Sequence, residues 1–177
     1  MTRQNHNFIE HPGNHMVKFA SFILFFFCIF PLQAQELVLS KGKVIDSIPV
    51  NDSIPESYAI YLPSNFSTET AWPVVFIFDP RGRGISSARL FRQAAEEQGY
   101  IIAASNNLKE GENLAYNTRV AGRFVERVMN FFPERKNRIY TAGLGDGAKV
   151  ATVLPVIYPT ISGVIAIGDL WINNDYI

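Results

Sequence analysis

The sequence predicts an α/β layered fold, and three patterns in residues 35–177 carry this prediction. Apolar, strand-like runs alternate with stretches of helical periodicity, an order typical of parallel sheets covered by helices. Residues 74–78 are apolar throughout, as expected for a strand buried on both faces of a parallel sheet. A glycine-rich turn at 143–148 joins a strand directly to a helix. We therefore expect a mostly parallel sheet in a three-layer arrangement, with right-handed crossovers.

Residues 1–34 are predicted to be an N-terminal extension followed by a secretory signal peptide. Lys18 precedes an apolar run at 19–30, and Ala34 supplies a small residue at the expected cleavage point. A run of about a dozen apolar residues is too short to cross a bilayer, so we expect no stable membrane span after cleavage. The residues before Met16 do not fit a signal peptide, which leaves Met1 and Met16 as alternative starts. The predicted location is the periplasm or the extracellular space.

Composition narrows the classes of function. Hydrophobic residues make up 47% of the sequence, which indicates a globular domain at 35–177. Lys plus Arg and Asp plus Glu number 16 each, so no overall positive field favours nucleic acid as a partner. The one cysteine, Cys28, lies in the predicted signal peptide, which excludes disulfides and thiolate metal sites from the mature chain. Neither a metal nor an organic cofactor is expected.

A β-hairpin is predicted at the start of the domain. Its strands are residues 37–48 and 57–62, and the turn-rich stretch 49–53 between them favours antiparallel pairing. Residues 74–78 then form the buried strand, which ends abruptly at the polar, glycine-rich loop 79–84. The parallel part of the sheet is therefore expected to follow two antiparallel strands.

Three helices and three further strands are predicted downstream. The first helix has Ser86 or Ser87 as its N-cap and Gly99 as its C-terminal stop. The second is amphipathic and stops at Pro133, and the third is short and disturbed by Pro155. The strands between and after these helices are predicted at 100–104, 139–142 and 163–167. The last of them would be an open apolar edge, which predicts poor solubility.

The turn at 143–148 permits two functional interpretations. In a nucleophile elbow, small residues flank a central nucleophile because the tight turn leaves no space beside it; Gly143 and Gly147 would flank Gly145. In a dinucleotide fingerprint, G-x-G-x-x-A, the helix N-terminus would bind a pyrophosphate and Asp169 would bind a ribose. A fingerprint usually follows the first strand of its domain, whereas five predicted strands precede this turn. The order of elements therefore favours the elbow.

Four segments carry a family resemblance through their order and spacing: residues 58–63 (YAIYLP), 72–84 (WPVVFIFDPRGRG), 104–107 (ASNN) and 138–143 (RIYTAG). On these segments nearly all of the mature chain resembles exported bacterial α/β-hydrolases near the polyhydroxybutyrate depolymerase and feruloyl esterase group. The resemblance implies an α/β-hydrolase fold and, in full-length members, hydrolysis of an ester substrate through an acyl-enzyme without a cofactor. It also implies an oxyanion hole formed by the backbone N–H of Arg81 or Gly82 and by that of Asp146.

The chain departs from this family at the residues that catalysis needs. A serine esterase needs a hydroxyl nucleophile, a histidine that accepts its proton and a carboxylate that orients the histidine. Gly145 has no side chain, and all three histidines of the sequence precede residue 35. The family's acid follows the seventh strand and its histidine comes later, whereas this sequence ends just past the sixth.

We therefore expect residues 35–177 to be a partial α/β-hydrolase domain, truncated after about the sixth strand and catalytically inactive. It would be either a fragment of a longer gene or a degenerate copy. The alternative function is a nucleotide-binding module that uses the glycine turn at 143–148.

Overall fold

The computed structural model describes residues 39–168. The predicted extension and signal peptide, Cys28 and Asp169 lie outside the described residues. Within residues 39–168, one sheet of six strands has the order β1-β2-β4-β3-β5-β6, and three helices pack on its faces. The strands are β1 (Val44–Pro49), β2 (Ser57–Tyr61), β3 (Trp72–Phe78), β4 (Ile101–Ser105), β5 (Glu134–Leu144) and β6 (Ile161–Ile167); the helices are α1 (Gly84–Gln98), α2 (Leu114–Phe131) and α3 (Asp146–Ile157).

The pairing of the strands confirms the predicted mixed sheet. β1 pairs antiparallel with β2, and β2 pairs antiparallel with β4. The remaining pairs, β4 with β3, β3 with β5 and β5 with β6, are parallel. The chain therefore begins with the predicted hairpin and continues into a parallel sheet.

The largest differences from the predicted strand boundaries are at the starts of β1 and β5. β1 begins at Val44 instead of residue 37, because Gly42 turns the chain with φ 73° and donates its N–H to the carbonyl oxygen of Leu62. β5 begins at Glu134 instead of residue 139, although its first residues lack an apolar pattern. Pairing of Glu134 with Trp72 of β3 extends the strand, and a sequence pattern does not reveal such a partner.

The start of α1 also differs from the prediction. The helix begins at Gly84 with Arg83 as its N-cap, and no side chain makes a capping hydrogen bond, so neither Ser86 nor Ser87 caps it. A Cβ at Gly84 would lie 2.6 Å from the carbonyl oxygen of Ala104, so close packing on β4 requires glycine here. The predicted C-terminal stop is confirmed, since Gly99 has φ 69° in the left-handed region.

Helix α3 runs past Pro155 to Ile157, so the proline does not end it. Proline has no N–H, which leaves the carbonyl oxygen of Ala151 without its intrahelical donor. The Thr141 hydroxyl, buried in β5, donates a hydrogen bond to that oxygen at 2.9 Å. A tertiary contact thus replaces the bond that proline removes.

The two faces of the sheet carry different cores. α2 and α3 cover one face, where the Phe124 ring lies 5.5 Å from Phe76 and 5.3 Å from Tyr58. α1 covers the other face through small residues, including Ala88 and Ala95. It packs mainly on β4 and β2, which leaves the same face of β5 and β6 largely uncovered. Among residues 39–168, none of the helices has the length and apolar content that a membrane crossing requires.

Candidate functional site

The carboxyl ends of β3 and β5 meet at a topological switch point of the sheet. The strands that follow β3 in sequence, β4 and β5, lie on its opposite sides, so the connections diverge there. Phe78, the last residue of β3, pairs with Gly143 near the end of β5. Ligands of open α/β sheets bind in the crevice outside such a point. Both predicted site segments, the loop after β3 and the glycine turn after β5, begin here.

The turn between β5 and α3 is a sharp strand-to-helix turn, as the elbow interpretation requires. Gly145 has φ 56° and ψ −123°, a conformation that side chains strongly disfavour. Gly143 and Gly147, two residues to either side, are glycine because a Cβ would clash with nearby backbone. A Cβ at Gly143 would lie 2.6 Å from the Ala148 nitrogen, and one at Gly147 would overlap the Phe78 carbonyl. The turn therefore excludes side chains at both flanking positions.

The central position of the turn has space for a side chain but carries none. A Cβ at Gly145 would meet only Cγ of Pro80, at 3.9 Å. The backbone N–H of Gly145 donates to the carbonyl oxygen of Ile167, and its own carbonyl oxygen accepts from the N–H of Ala148, both at 2.9 Å. Two backbone hydrogen bonds thus hold this residue. The position offers no nucleophilic atom.

The loop after β3 is held by the carboxylate of Asp79, a largely buried residue at the strand end. Its Oδ1 accepts the Arg81 N–H at 2.9 Å, and its Oδ2 accepts the Arg83 guanidinium at 2.9 to 3.0 Å. The Gly82 N–H donates to the Asp79 carbonyl oxygen at 3.0 Å. The N–H groups of Arg81 and Gly82, the two alternatives for the loop's oxyanion-hole donor, are therefore engaged within the loop, and a role for either in binding a carbonyl oxygen stays a prediction.

Asp146 is the first residue of α3, and its carboxylate is held away from the turn. Oδ2 accepts the backbone N–H of Gly111 at 2.9 Å, and Oδ1 accepts the Lys149 ammonium at 3.1 Å. These two donors, the Gly111 N–H first, lower the pKa of Asp146 below its ordinary value. The carboxylate thus joins the loop before α2 to the start of α3. Its backbone N–H belongs to the first helical turn, where such groups have no intrahelical acceptor.

An apolar groove of about 340 Å³ lies beside this site, between α1 and the uncovered face of β5 and β6. Its lining includes the apolar side chains of Leu90, Phe91, Leu144, Ile165 and Ile167, together with Asp79 and Arg83. We call it the β6 groove. Among the described residues, no group of three or more His, Cys, Asp or Glu side chains is arranged to hold a metal ion.

Sequence analysis missed the contacts that hold the site together. The pairing of Asp79 with Arg83 has only the spacing of four residues as a sequence signal. The contact of Asp146 with Gly111 joins residues 35 positions apart, and no local pattern indicates it. These contacts depend on how the loops meet at the end of the sheet.

Comparison with known proteins finds similarity in structure only. No protein-family model matches the sequence, and no curated protein matches it. Acetyl xylan esterase from Aspergillus awamori is similar with a TM-score of 0.55 and 16% identity, over 76% of this chain and 56% of that protein. A thermostable esterase is similar with a TM-score of 0.56 and 15% identity, over 71% of this chain and 42% of that protein. A ferulic acid esterase is similar with a TM-score of 0.51 and 16% identity, over 70% of this chain and 58% of that protein.

This chain spans between 42% and 58% of the length of these three proteins. At such low identity the similarity concerns the fold. The strand order, the turn at Gly145 and these esterase neighbours agree with one another, and they do not favour the nucleotide-binding alternative. Residues 39–168 have the fold of the α/β-hydrolases.

Proposed function

We propose that residues 35–177 are the elbow-bearing part of an exported α/β-hydrolase domain related to carboxylic-ester hydrolases, and that this chain does not itself hydrolyse esters. The observation that carries the proposal is Gly145, which has the backbone conformation of an elbow and no side chain. The proposed relation to esterases rests on the similar solved structures. The proposed inactivity rests on the catalytic side chains that residues 35–177 lack.

The elbow conformation supports the relation to ester hydrolases. In that fold the sharp strand-to-helix turn presents the nucleophile at the top of the sheet, next to N–H donors that stabilise the developing oxyanion. Gly143 and Gly147 keep the two flanking positions clear, as such a turn requires. Gly145 occupies the position from which a serine hydroxyl would attack.

The missing groups support inactivity. An alcohol attacks an ester efficiently only when a base removes its proton, and histidine is the base in serine esterases. Residues 35–177 contain neither a side chain at position 145 nor any histidine. In addition, the Arg81 and Gly82 N–H groups already donate to Asp79. Nucleophile, base and part of the oxyanion hole would all have to be supplied.

The proposal is tested by measuring ester hydrolysis with purified residues 35–177. Wild type, Gly145→Ser and Gly145→Ala are assayed with p-nitrophenyl acetate and with a feruloyl ester, against a buffer blank. We expect all three proteins to match the blank. The serine variant lacks a base, and the alanine variant carries the same backbone strain without a hydroxyl. Circular dichroism of each variant establishes that it is folded.

Two results would contradict the proposal. Saturable hydrolysis by the wild type would show an active site that does not use position 145. Hydrolysis by Gly145→Ser but not by Gly145→Ala would show that the elbow is intact and that a base reaches it from a group other than histidine.

A further inference from the structure

We propose that a cleft between α1 and β1 binds the phosphate group of a sugar phosphate. Lys43, Arg89 and Arg92 line its cavity of about 420 Å³, together with Val44. We call it the α1 cleft. In the sheet order, β2, β4 and β3 lie between β1 and the strand that leads into the glycine turn. The proposal is therefore independent of the proposed function.

The basic side chains of the α1 cleft have no carboxylate partner among residues 39–168. Lys43, Arg89 and Arg92 are exposed, and none of them forms an ion pair within that range. Four other basic side chains of the same range each contact a carboxylate: Arg81, Arg83, Arg123 and Lys149. Arg89 and Arg92 are three residues apart on α1, which puts them on the same side of the helix. The cations around the cavity repel one another, and an anion bound among them offsets that repulsion.

The acidic residue best placed to neutralise the cleft is engaged elsewhere. Glu96 follows Arg92 by four residues, a spacing at which the two side chains could pair. Instead, its carboxylate accepts hydrogen bonds from the Ser64 hydroxyl, the Tyr61 hydroxyl and the Ser64 backbone N–H. The Ser64 and Tyr61 hydroxyls are the main causes that lower the pKa of Glu96, and the charge of Arg92 contributes least. The Arg92 guanidinium therefore keeps its hydrogen-bond donors for an external anion.

The donors of the α1 cleft suit a phosphate group. A guanidinium is planar and can donate two parallel hydrogen bonds to the oxygens of one phosphate, and an ammonium binds phosphate as a point charge. A phosphate ester carries close to two negative charges near neutral pH, whereas a carboxylate carries one. Since three cations surround the cavity, the doubly charged group complements it better.

A second cavity, of about 370 Å³, adjoins the α1 cleft at Arg92, which lines both. Its lining includes Ser64, Gln93, Glu96 and Glu97. The Gln93 amide donates a hydrogen bond to the Glu97 carboxylate at 3.0 Å, which leaves further acceptor sites on both side chains. Such oxygens accept hydrogen bonds from hydroxyl groups. A phosphate at Arg92 whose organic part bears hydroxyls, as a sugar phosphate does, would use both cavities.

Residues 35–177 are the test protein, because residues 39–168 hold the described sheet, its three helices and both hydrophobic cores. Isothermal titration calorimetry in a phosphate-free buffer measures the binding of glucose 6-phosphate, inorganic phosphate, glucose 6-sulfate and glucose. We expect saturable binding of glucose 6-phosphate and no measurable binding of glucose. Inorganic phosphate lacks the hydroxyl-bearing ring and glucose 6-sulfate carries a single charge, so each should bind about tenfold more weakly.

Substitutions in the α1 cleft test which residues bind the phosphate. Arg89→Gln and Arg92→Gln should each weaken glucose 6-phosphate binding about tenfold, because each removes charged hydrogen bonds to the phosphate. Arg119→Gln is the matched control, since it removes the same charge from an exposed arginine on α2, which covers the opposite face of the sheet. It should leave the dissociation constant unchanged. Gln93→Leu should weaken binding of glucose 6-phosphate but not of inorganic phosphate.

All three arginines are exposed, so the variants should stay folded, and circular dichroism checks this. A wild-type protein that shows no saturable binding of glucose 6-phosphate would overturn the proposal. Equal weakening by Arg119→Gln and by Arg92→Gln would overturn it too, because binding would then follow net charge instead of the α1 cleft. Equal dissociation constants for glucose 6-phosphate and inorganic phosphate would refute the assignment of a sugar to the second cavity.

Discussion

The backbone nitrogen of Gly145 lies 2.9 Å from the carbonyl oxygen of Ile167 and donates a hydrogen bond to it. The bond joins the centre of the elbow to the last residue of β6. Gly168, the next residue, has φ 112°, and a Cβ there would lie 3.1 Å from the same nitrogen. The conformation of the elbow therefore depends on the position of β6.

Gly147→Ala should destabilise the protein much more than Gly111→Ala. A Cβ at Gly147 would overlap the Phe78 carbonyl, and rigid backbone cannot yield, so we expect a loss of about 3 kcal/mol or more. Gly111 has φ 77° with nothing within 4 Å, so alanine costs only the left-handed backbone strain, about 1 kcal/mol. Urea unfolding of residues 35–177 measures both. Equal losses in the two variants would mean that α3 does not pack against β3 as described.

Asp79→Asn should loosen the loop after β3 and lower the free energy of unfolding by about 1 kcal/mol. The carboxylate is buried and binds both Arg81 N–H and Arg83, while half of the Arg83 side chain is exposed to solvent. The control is Glu110→Gln, which removes the exposed ion pair with Arg81 and should cost less than about 0.5 kcal/mol. Faster hydrogen exchange at the Arg81 and Gly82 amides should accompany the Asp79 change alone. Unchanged exchange there would argue against Asp79 as the residue that holds the loop.

Asp146 should contribute stability that is lost in acid. Its pKa in the folded protein is lowered from the ordinary 3.8, chiefly by the Gly111 N–H and then by Lys149. A lowered pKa stabilises the folded state above the unfolded pKa, and this contribution disappears as the pH falls through the folded value. The difference in stability between wild type and Asp146→Asn should therefore be constant near neutral pH and shrink below about pH 4.

Urea unfolding at a series of pH values tests this prediction. Lys149→Met removes the second donor and keeps the first, so it should retain most of the wild-type pH dependence. Parallel curves for wild type and Asp146→Asn down to about pH 2 would exclude the assigned contacts as the cause.

Export should remove the segment through about Ala34. The apolar run at 19–30 has the length and flanking residues of a cleaved signal, and Ala34 suits the position before the cut. Intact-mass measurement of the exported protein identifies its first residue. Ala34→Arg should block cleavage, whereas Gln33→Arg should impair cleavage less. An exported protein that still contains residues 19–30 would refute the prediction.

The sequence alone determined the parts of this protein that arise from local chemistry. The alternation of apolar runs and amphipathic stretches is enough to predict the hairpin, the buried strand at 74–78 and the stop at Gly99. The glycines at 143 and 147 indicate flanking positions too tight for side chains, and the observed contacts agree. Such features are predictable because propensity, periodicity and steric exclusion act between residues close in sequence.

Tertiary structure alone decided the features that join distant residues. The start of α1 at Gly84 follows from packing on Ala104, and α3 continues through Pro155 because Thr141 supplies a hydrogen bond from β5. The engagement of the Arg81 and Gly82 N–H groups by Asp79, and the contact of Asp146 with Gly111, arise only where loops meet at the end of the sheet. Hydrogen bonds and close contacts depend on position to within fractions of an ångström, and that precision comes from the packed fold.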